Sequence, residues 1–273
     1  MAQKHSEILK LAQKIRIHAT RMIHAAKSSH LGSNLSMAEI MAVLYGKILH
    51  ISPDEPSASD RDRLILSKGH AAAGYYAVLA ECGFFPIEWL DSFYLNGGRL
   101  AGHATCGTPG IEVSSGALGH GLPMAAGMAL AGKRDHASHR IFAVLSDGEC
   151  DEGSTWEAAM FSAHHHLSNL IAIIDYNKIQ ALGHTRDVVD LEPFADKWNA
   201  FGWAVIEVDG HDIDELETAL ATIPFEPDRP SCLIAHTVKG KGVRFMEDNL
   251  LWHYRNPQGE EYEEAMRELG ANL

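Results

Sequence analysis

An α/β fold, with a mostly parallel sheet and helices on both of its faces, is predicted by three features of the sequence. Five short runs, 63–66, 141–145, 170–174, 204–208 and 232–235, are apolar or β-branched, and each closes on turn residues. Their apolar character is continuous rather than alternating, the pattern of strands buried on both faces. Helical stretches such as 155–166 and 213–222 lie between them and supply the crossovers that parallel strands require.

Taken in order, residues 6–26 place Ile8, Leu9, Leu11, Ile15, Ile17, Met22 and Ile23 at spacings that give a helix one buried face. Ser36-Met37-Ala38-Glu39 matches a capping box and predicts a second helix running through Leu49. The stretch 51–61, rich in Pro, Ser and Asp, is a loop. The five strands then end at Ser67-Lys68-Gly69, Ser146-Asp147-Gly148, Asp175, Asp209-Gly210 and His236-Thr237. No repeat, low-complexity tract or shift of composition marks a second domain, so residues 1–273 are read as one. Ligands of open α/β sheets sit beyond the carboxyl ends of the strands, and those ends carry His70, Asp147, Asn177 and His236.

Composition narrows the function. The 273 residues include 23 Lys+Arg and 36 Asp+Glu, a net charge of −13, which disfavours a nucleic-acid backbone as partner because phosphate neutralisation needs a basic surface. With 46% hydrophobic residues, 24 Gly and only 10 Pro, the chain is neither fibrous nor disordered. No signal-peptide pattern and no apolar stretch long enough for a membrane span is present, so a cytoplasmic location is expected. Cys82, Cys106, Cys150 and Cys232 form no C-x-x-C pair and are read as free thiols. His164-His165-His166 invites a metal reading, but adjacent residues on a helix point about 100° apart and cannot face one ion, so a solvated helix end is expected.

The segment from Ser146 to Gln180 carries the chemistry. Asp147 ends one apolar strand and Asn177 follows the next; a carboxylate and an amide oxygen at neighbouring strand ends suit a hard cation shared with phosphates. Gly148 permits close backbone approach, and the helix beginning near Ser154 can aim free N–H groups at a diphosphate. Alone, Asp-Gly after a strand is most often a plain turn.

The segment 147–180 nevertheless resembles the cofactor-binding stretch of transketolases, the Gly-Asp-Gly…Asn pattern of thiamine diphosphate enzymes. Further similarity lies in Ser29-His30-Leu31-Gly32-Ser33, Ser67-Lys68-Gly69-His70-Ala71, Gly102-His103, the stretch 109–119 (PGIEVSSGALG) and Lys239-Gly240-Lys241-Gly242, in the family's order over roughly residues 10 to 260. The resemblance implies that Asp147, Asn177 and the Ile179 carbonyl hold a divalent ion, Mg²⁺ with Ca²⁺ or Mn²⁺ as alternatives. It implies that His70, Gly116, Leu118, Gly148, Glu149, Asn177 and His253 contact thiamine diphosphate. His30, His70, His103 and His253 would act on the sugar's oxygens and protons, and Glu152 would approach a partner's glutamate that activates the cofactor. The family's pattern is broken at three places, Ser146 for Gly, His120 for Gln and Tyr176 for Asp or Asn.

Transketolases carry, after this first domain, a pyrimidine-binding domain and a C-terminal domain, both absent from these 273 residues. The resemblance therefore implies the N-terminal subunit of a split transketolase. Such a subunit would transfer a two-carbon ketol unit between sugar phosphates with a C-terminal partner, as an α2β2 assembly, and be nearly inactive alone. The alternatives are the α subunit of a 2-oxoacid dehydrogenase, which would not be expected to carry His30, His70 and His103 in these contexts, a 1-deoxyxylulose-phosphate-type synthase, and a non-catalytic cofactor-binding module.

Overall fold

Each apolar run becomes a strand because its alternate side chains enter two different cores. The computed structural model describes residues 2–271. Its strands are β1 (Arg63–Leu66), β2 (Ile141–Ser146), β3 (Leu170–Tyr176), the short β4 (Ile179–Gln180) and β5 (Gly183–His184), β6 (Ala204–Asp209) and β7 (Ser231–His236). In β2, Phe142 and Val144 face one core while Ile141, Ala143 and Leu145 face the other, and β3 divides its residues the same way. A slip of one residue would exchange the two sets, so the register is held from both sides. Five strands pair in parallel in the order β1-β2-β3-β7-β6, and β4 and β5 form a separate two-residue hairpin.

The helices are α1 (Ala2–Ala26), α2 (Leu31–Ser36), α3 (Ala38–Val43), α4 (Ala72–Glu81), α5 (Gly121–Arg134), α6 (Gly153–His164), the single turn α7 (Thr185–Val188), α8 (Phe194–Ala200), α9 (Ile213–Leu220) and α10 (Glu260–Glu268). One face of the sheet is covered by α1 to α4 and α9, the other by α5, α6 and α8. In α1 the residues Ile8, Ala12, Ile15, Ala19, Met22 and Ile23 are buried at the spacing of the stripe a helix presents to a core. The helix stops where Lys27 turns left-handed (φ 51°), with the Lys27 and Ser28 amides capping the His24 and Ile23 carbonyls. Among the described residues no helix is long and apolar enough to cross a membrane.

One expectation fails. Ser36 does not cap the helix containing Glu39. It is the last residue of α2, and its hydroxyl donates to the Asp175 carboxylate (2.6 Å), while Glu39 is taken by Arg16 at 2.5 and 2.6 Å. Beyond α3 the chain continues as a π-helical turn over Leu44–Ile48 rather than as regular helix.

Candidate active site

Parallel pairing sets the carboxyl ends of β1, β2, β3 and β7 side by side, and a cavity of about 230 Å³ opens there. Its walls bring together His30, His70, His103 and His253 with Gly116, Leu118, Asp147, Gly148, Asn177 and Ile179. A larger open groove of about 640 Å³ lies near Trp89 and Thr108, but among the described residues Arg99 is the only charged side chain lining it, so the smaller cavity is the candidate site.

Asp147 is buried at the end of β2, where its carboxylate accepts the Gly148 amide (2.7 Å) and the Lys178 amide (2.5 Å). Burial, and next the negative charge of Asp175, push its pKa up to about 6. A carboxylate in that position is stabilised by a cation. Among the described residues lining the cavity that cation is Lys239, whose charge acts on Asp147 and whose Nζ donates to the Ile179 carbonyl (2.8 Å) and meets His253 Nδ1 (2.9 Å). An ammonium thus stands against the carbonyl expected to bind a divalent ion, and the donor set of carboxylate, amide and carbonyl suits a hard cation. Among the described residues no cluster of three or more His, Cys, Asp or Glu could hold a metal by itself, so phosphate or water oxygens would have to complete the shell. A Cβ on Gly148 would come within 2.8 Å of Gln180 Cβ, which reserves that position for glycine.

The four histidines form one cluster. His30 lies 5.1 Å from His70, 4.9 Å from His253 and 6.3 Å from His103, centroid to centroid. Burial first, then His103 and Lys239, lower the pKa of His30 to about 4. Burial and then Lys239 lower that of His253 to about 3, and burial with the Lys68 charge drives His70 well below its usual value. His30, His70 and His253 are neutral at pH 7 and can accept or donate a proton without first losing a charge.

A pH dependence follows. His30, His70 and His253 each gain a proton near pH 6.5 when unfolded, but in the folded chain only well below that, near 4 for His30 and near 3 for His253. Their contribution to stability is therefore present above pH 6.5 and lost as pH falls toward 4. Asp147 acts oppositely, its contribution being present below 3.8 and lost as pH rises through 6. Three histidines outweigh one carboxylate, so at about pH 5 these groups give the unfolded chain on the order of two extra protons. Urea denaturation of the chain without cofactor should show a lower midpoint at about pH 5 than at about pH 7.5, and an equal or higher midpoint would refute neutral histidines.

Beneath the cavity lies a charge pair with no solvent contact. Lys68, just after β1, pairs with Asp175 of β3 and donates to the Ser33 carbonyl (3.0 Å), while Ser36 and Thr237 hydroxyls also donate to Asp175. Asp175 stays ionised because Lys68 offsets the penalty of burial. The sequence reading assigns no role to this pair, although a lone Asp closing the apolar run 170–174 demands a buried cation.

Three expectations change. Glu149 does not line the cavity: it is fully buried and its carboxylate is taken by the Ser67 hydroxyl, the Gly119 amide (2.8 Å) and, at 3.4 Å, the Ser146 amide. It braces the loop that holds Gly116 and Leu118. The amino end of α6 does not line the cavity either: residues 153–155 are absent from its walls, the Ser154 hydroxyl donates to the Gly119 carbonyl (2.7 Å), and the Thr155 amide donates to the Glu152 carbonyl. His236 lies outside the cavity and meets Glu207 at 2.7 Å, and the chain after β7 reaches the cavity instead through Lys239 and His253. Glu152 is exposed and also outside the cavity. His120 is exposed against the Leu118 carbonyl, and Tyr176 is buried with its hydroxyl donating to Glu192 (2.6 Å). His164 ends α6, with the His165 ring packed near Phe161.

The loop carrying Gly116 is fitted to Gly69 with no room to spare. A Cβ at Gly69 would lie 2.6 Å from the Ser115 carbonyl carbon and 2.7 Å from the Gly116 nitrogen, both backbone atoms. Gly69→Ala should cost about 1–3 kcal/mol, as overpacking of a close-packed interior does. Thermal denaturation checks this, and an unchanged midpoint would mean that the loop yields freely.

Residues 8–272 match the family described as transketolase, thiamine diphosphate binding domain. The chain is similar to one subunit of the apulose-4-phosphate transketolase of Phocaeicola vulgatus, 41% identical over 262 residues, which cover 96% of this chain and 93% of that one. It is equally similar to the 6-deoxy-6-sulfo-D-fructose transketolase subunit SqwG of a Clostridium species, 41% identical over 270 residues and 98% of each chain. The solved transketolase of Campylobacter jejuni superposes with a TM-score of 0.91 at 30% identity over 98% of this chain but 43% of its own. The chain thus spans nearly the whole of the two subunits and about two fifths of the solved enzyme.

Proposed function

The chain belongs to the transketolase family as its thiamine diphosphate-binding part, and from that premise we propose that it is the N-terminal subunit of a two-chain transketolase. The observation that carries the reading is the meeting of Asp147, Asn177 and the Ile179 carbonyl with four clustered histidines in one cavity at the strand ends. The names of the similar subunits favour a separate partner chain, and an α2β2 assembly accommodates two such sites. Residues 1–273 would then act as one diphosphate-binding domain, with cytoplasmic location following from the same reading.

Thiamine diphosphate supplies, when bound, a nucleophilic ring carbon through which a two-carbon ketol unit passes from a ketose to an aldose. The protein's part is to bind, orient and move protons. Asp147, Asn177 and Ile179 would hold a divalent ion, Mg²⁺ with Ca²⁺ or Mn²⁺ as alternatives, against the diphosphate, and Lys239 would turn its charge from the Ile179 carbonyl toward the phosphate oxygens. Gly116, Leu118 and Gly148, which line the cavity, would give backbone and apolar surface to the cofactor. His30 and His103 would hold substrate oxygens, with His70 and His253 placed to exchange protons as charge develops on them. Glu152, at the exposed rim, would meet the partner. Both similar subunits are named for ketoses with an anionic end, a phosphate in one and a sulfo group in the other, and we infer donors and acceptors of that class.

Isothermal titration of thiamine diphosphate with Mg²⁺ tests the assignment, using the chain with and without a subunit bearing a pyrimidine-binding domain. Tight binding by the pair, with transfer of two carbons from a ketose phosphate to an aldose phosphate, is expected. Absence of cofactor binding in both cases would overturn the assignment, and binding without turnover on any sugar phosphate would favour a non-catalytic module.

A further inference from the structure

The loop that follows β7 delivers Lys239 to the cavity, and a histidine that does not line the cavity holds that loop. Gly210, just after β6, donates its amide to the His236 carbonyl (2.8 Å), and a Cβ there would come within 2.5 Å of Thr237 Cγ2 and 3.0 Å of Ala235 Cβ. Glycine thus lets the turn between β6 and α9 lie directly against the end of β7, which brings His211 beside Val238. The Val238 amide donates to His211 Nε2 (2.9 Å), and His211 Nδ1 meets Glu39 Oε2 (3.0 Å). An amide can donate only to a ring nitrogen that carries no proton, so the ring proton sits on Nδ1 and is given to the carboxylate. Glu39 is held firmly in turn: Arg16 of α1 takes both of its oxygens (2.5 and 2.6 Å), and both side chains are buried.

Lys239 has no slack with which to make good a displaced loop. It is buried, and a Cβ on Gly32 would meet its Cγ at 2.9 Å, so the side chain runs through a channel that glycine keeps open. On the carboxyl side the main chain is pinned by the Asp248 amide on the Lys239 carbonyl (2.9 Å) and by the Gly240 amide on the Gly32 carbonyl (3.0 Å). On the amino side the amide of the adjoining residue is pinned by His211.

We propose that His211, oriented by Glu39 and Arg16, is a positioning residue that holds the Val238 amide and so aims the Lys239 ammonium at the diphosphate of the cofactor. It rests on the assignment of Lys239 to the diphosphate made above. The two ring nitrogens do different things, and two substitutions separate them. Glutamine can place its carboxamide oxygen where Nε2 stands and accept the Val238 amide. Asparagine reaches only as far as Nδ1, keeping a donor for Glu39 and leaving the amide without its acceptor. The loop then shifts to find another acceptor, and Lys239 loses a charge-assisted contact.

Thiamine diphosphate, with Mg²⁺ in excess, is titrated calorimetrically into the full chain in complex with its partner. The proteins compared are the wild type, His211→Gln, His211→Asn, Lys239→Met and the double variant Lys239→Met/His211→Asn. His211→Asn should weaken cofactor affinity about 10-fold, and His211→Gln should bind within about threefold of the wild type. With Lys239 already replaced, the same Asn substitution should cost less than about twofold, because the group it positions is gone. Equal losses for Gln and Asn, losses that multiply in the double variant, or no loss for Asn would each overturn the inference and leave His211 a structural residue. The tautomer is read on the wild type, whatever the stability of the variants: nitrogen NMR of the histidine-labelled full chain should find His211 protonated on Nδ1 alone, and a proton on Nε2 would overturn the inference too. If the wild type binds the cofactor and Lys239→Met binds it equally well, the family reading stands and the inference falls; if the wild type binds none, both fall.

Discussion

Asp147→Asn should abolish the response of the assembled enzyme to Mg²⁺ and lower kcat/KM by about 10³-fold, or ~4 kcal/mol of lost transition-state stabilisation. The substitution keeps shape and one acceptor oxygen but removes the only carboxylate among the described residues of the cavity wall. An ion shared with a diphosphate needs charge from the protein, which neither Asn177 nor the Ile179 carbonyl supplies. The pH dependence makes the prediction specific. In the chain without cofactor, burial and Asp175 hold the Asp147 pKa up at about 6, so ion binding must first displace a proton below that pH. Mg²⁺ affinity of the wild type should therefore weaken roughly tenfold per pH unit as pH falls below about 6 and be level above it. The variant has no such proton to lose and should bind weakly at every pH. Calorimetric titration of Mg²⁺ between about pH 5 and 8 decides the matter, and a wild-type affinity independent of pH would remove Asp147 from the ligand set.

Much of this arrangement is legible in the sequence, and the reasons are local. Strands such as Ile141–Ser146 are recognisable because both faces are buried, so no polar residue interrupts the run until the strand ends. For the same reason the polar residues that follow these runs, Ser146-Asp147 after one and Asp175 with Asn177 after the other, can be placed at a common edge of the sheet. Contacts between distant segments are not legible. Lys68 and Asp175 lie 107 residues apart, and nothing local in either motif says that β1 and β3 flank β2. Ser36 shows the opposite error: a local pattern, Ser-x-x-Glu, is present and is overruled because the hydroxyl gains more as a donor to a buried carboxylate than as a cap. Glu149 is misplaced likewise. Its position after Gly148 suggests the cofactor, but a buried carboxylate turns to whatever donors surround it, here Ser67 and the Gly119 amide.

Turnover by the chain alone should be at least about 10³-fold below that of the chain saturated with its partner, and activity should rise with added partner to a plateau at one equivalent. Cofactor activation in this reading needs a carboxylate at the end of the cavity remote from the ion. Among the described residues lining the cavity the sole carboxylate is Asp147, which is committed to the ion, and Glu152 stands outside. A missing general acid–base group costs about 10²- to 10⁴-fold by itself, a range centred on the expected loss. The rim adds to it. Leu182 is 76% exposed and Tyr254 56%, with the Tyr254 hydroxyl bound to the carbonyl of Ala181, which lines the cavity. Apolar side chains left open beside a polar cavity suit a covering surface that also excludes water from the reacting carbon. Glu152→Gln separates the two contributions: it should lower turnover of the assembly while leaving calorimetric affinity for thiamine diphosphate unchanged, because the residue is exposed outside the cavity and in this reading meets the partner rather than the diphosphate. Full activity of the chain in the partner's absence would mean that some residue of this chain reaches the cofactor's far end, and it would defeat the two-chain reading.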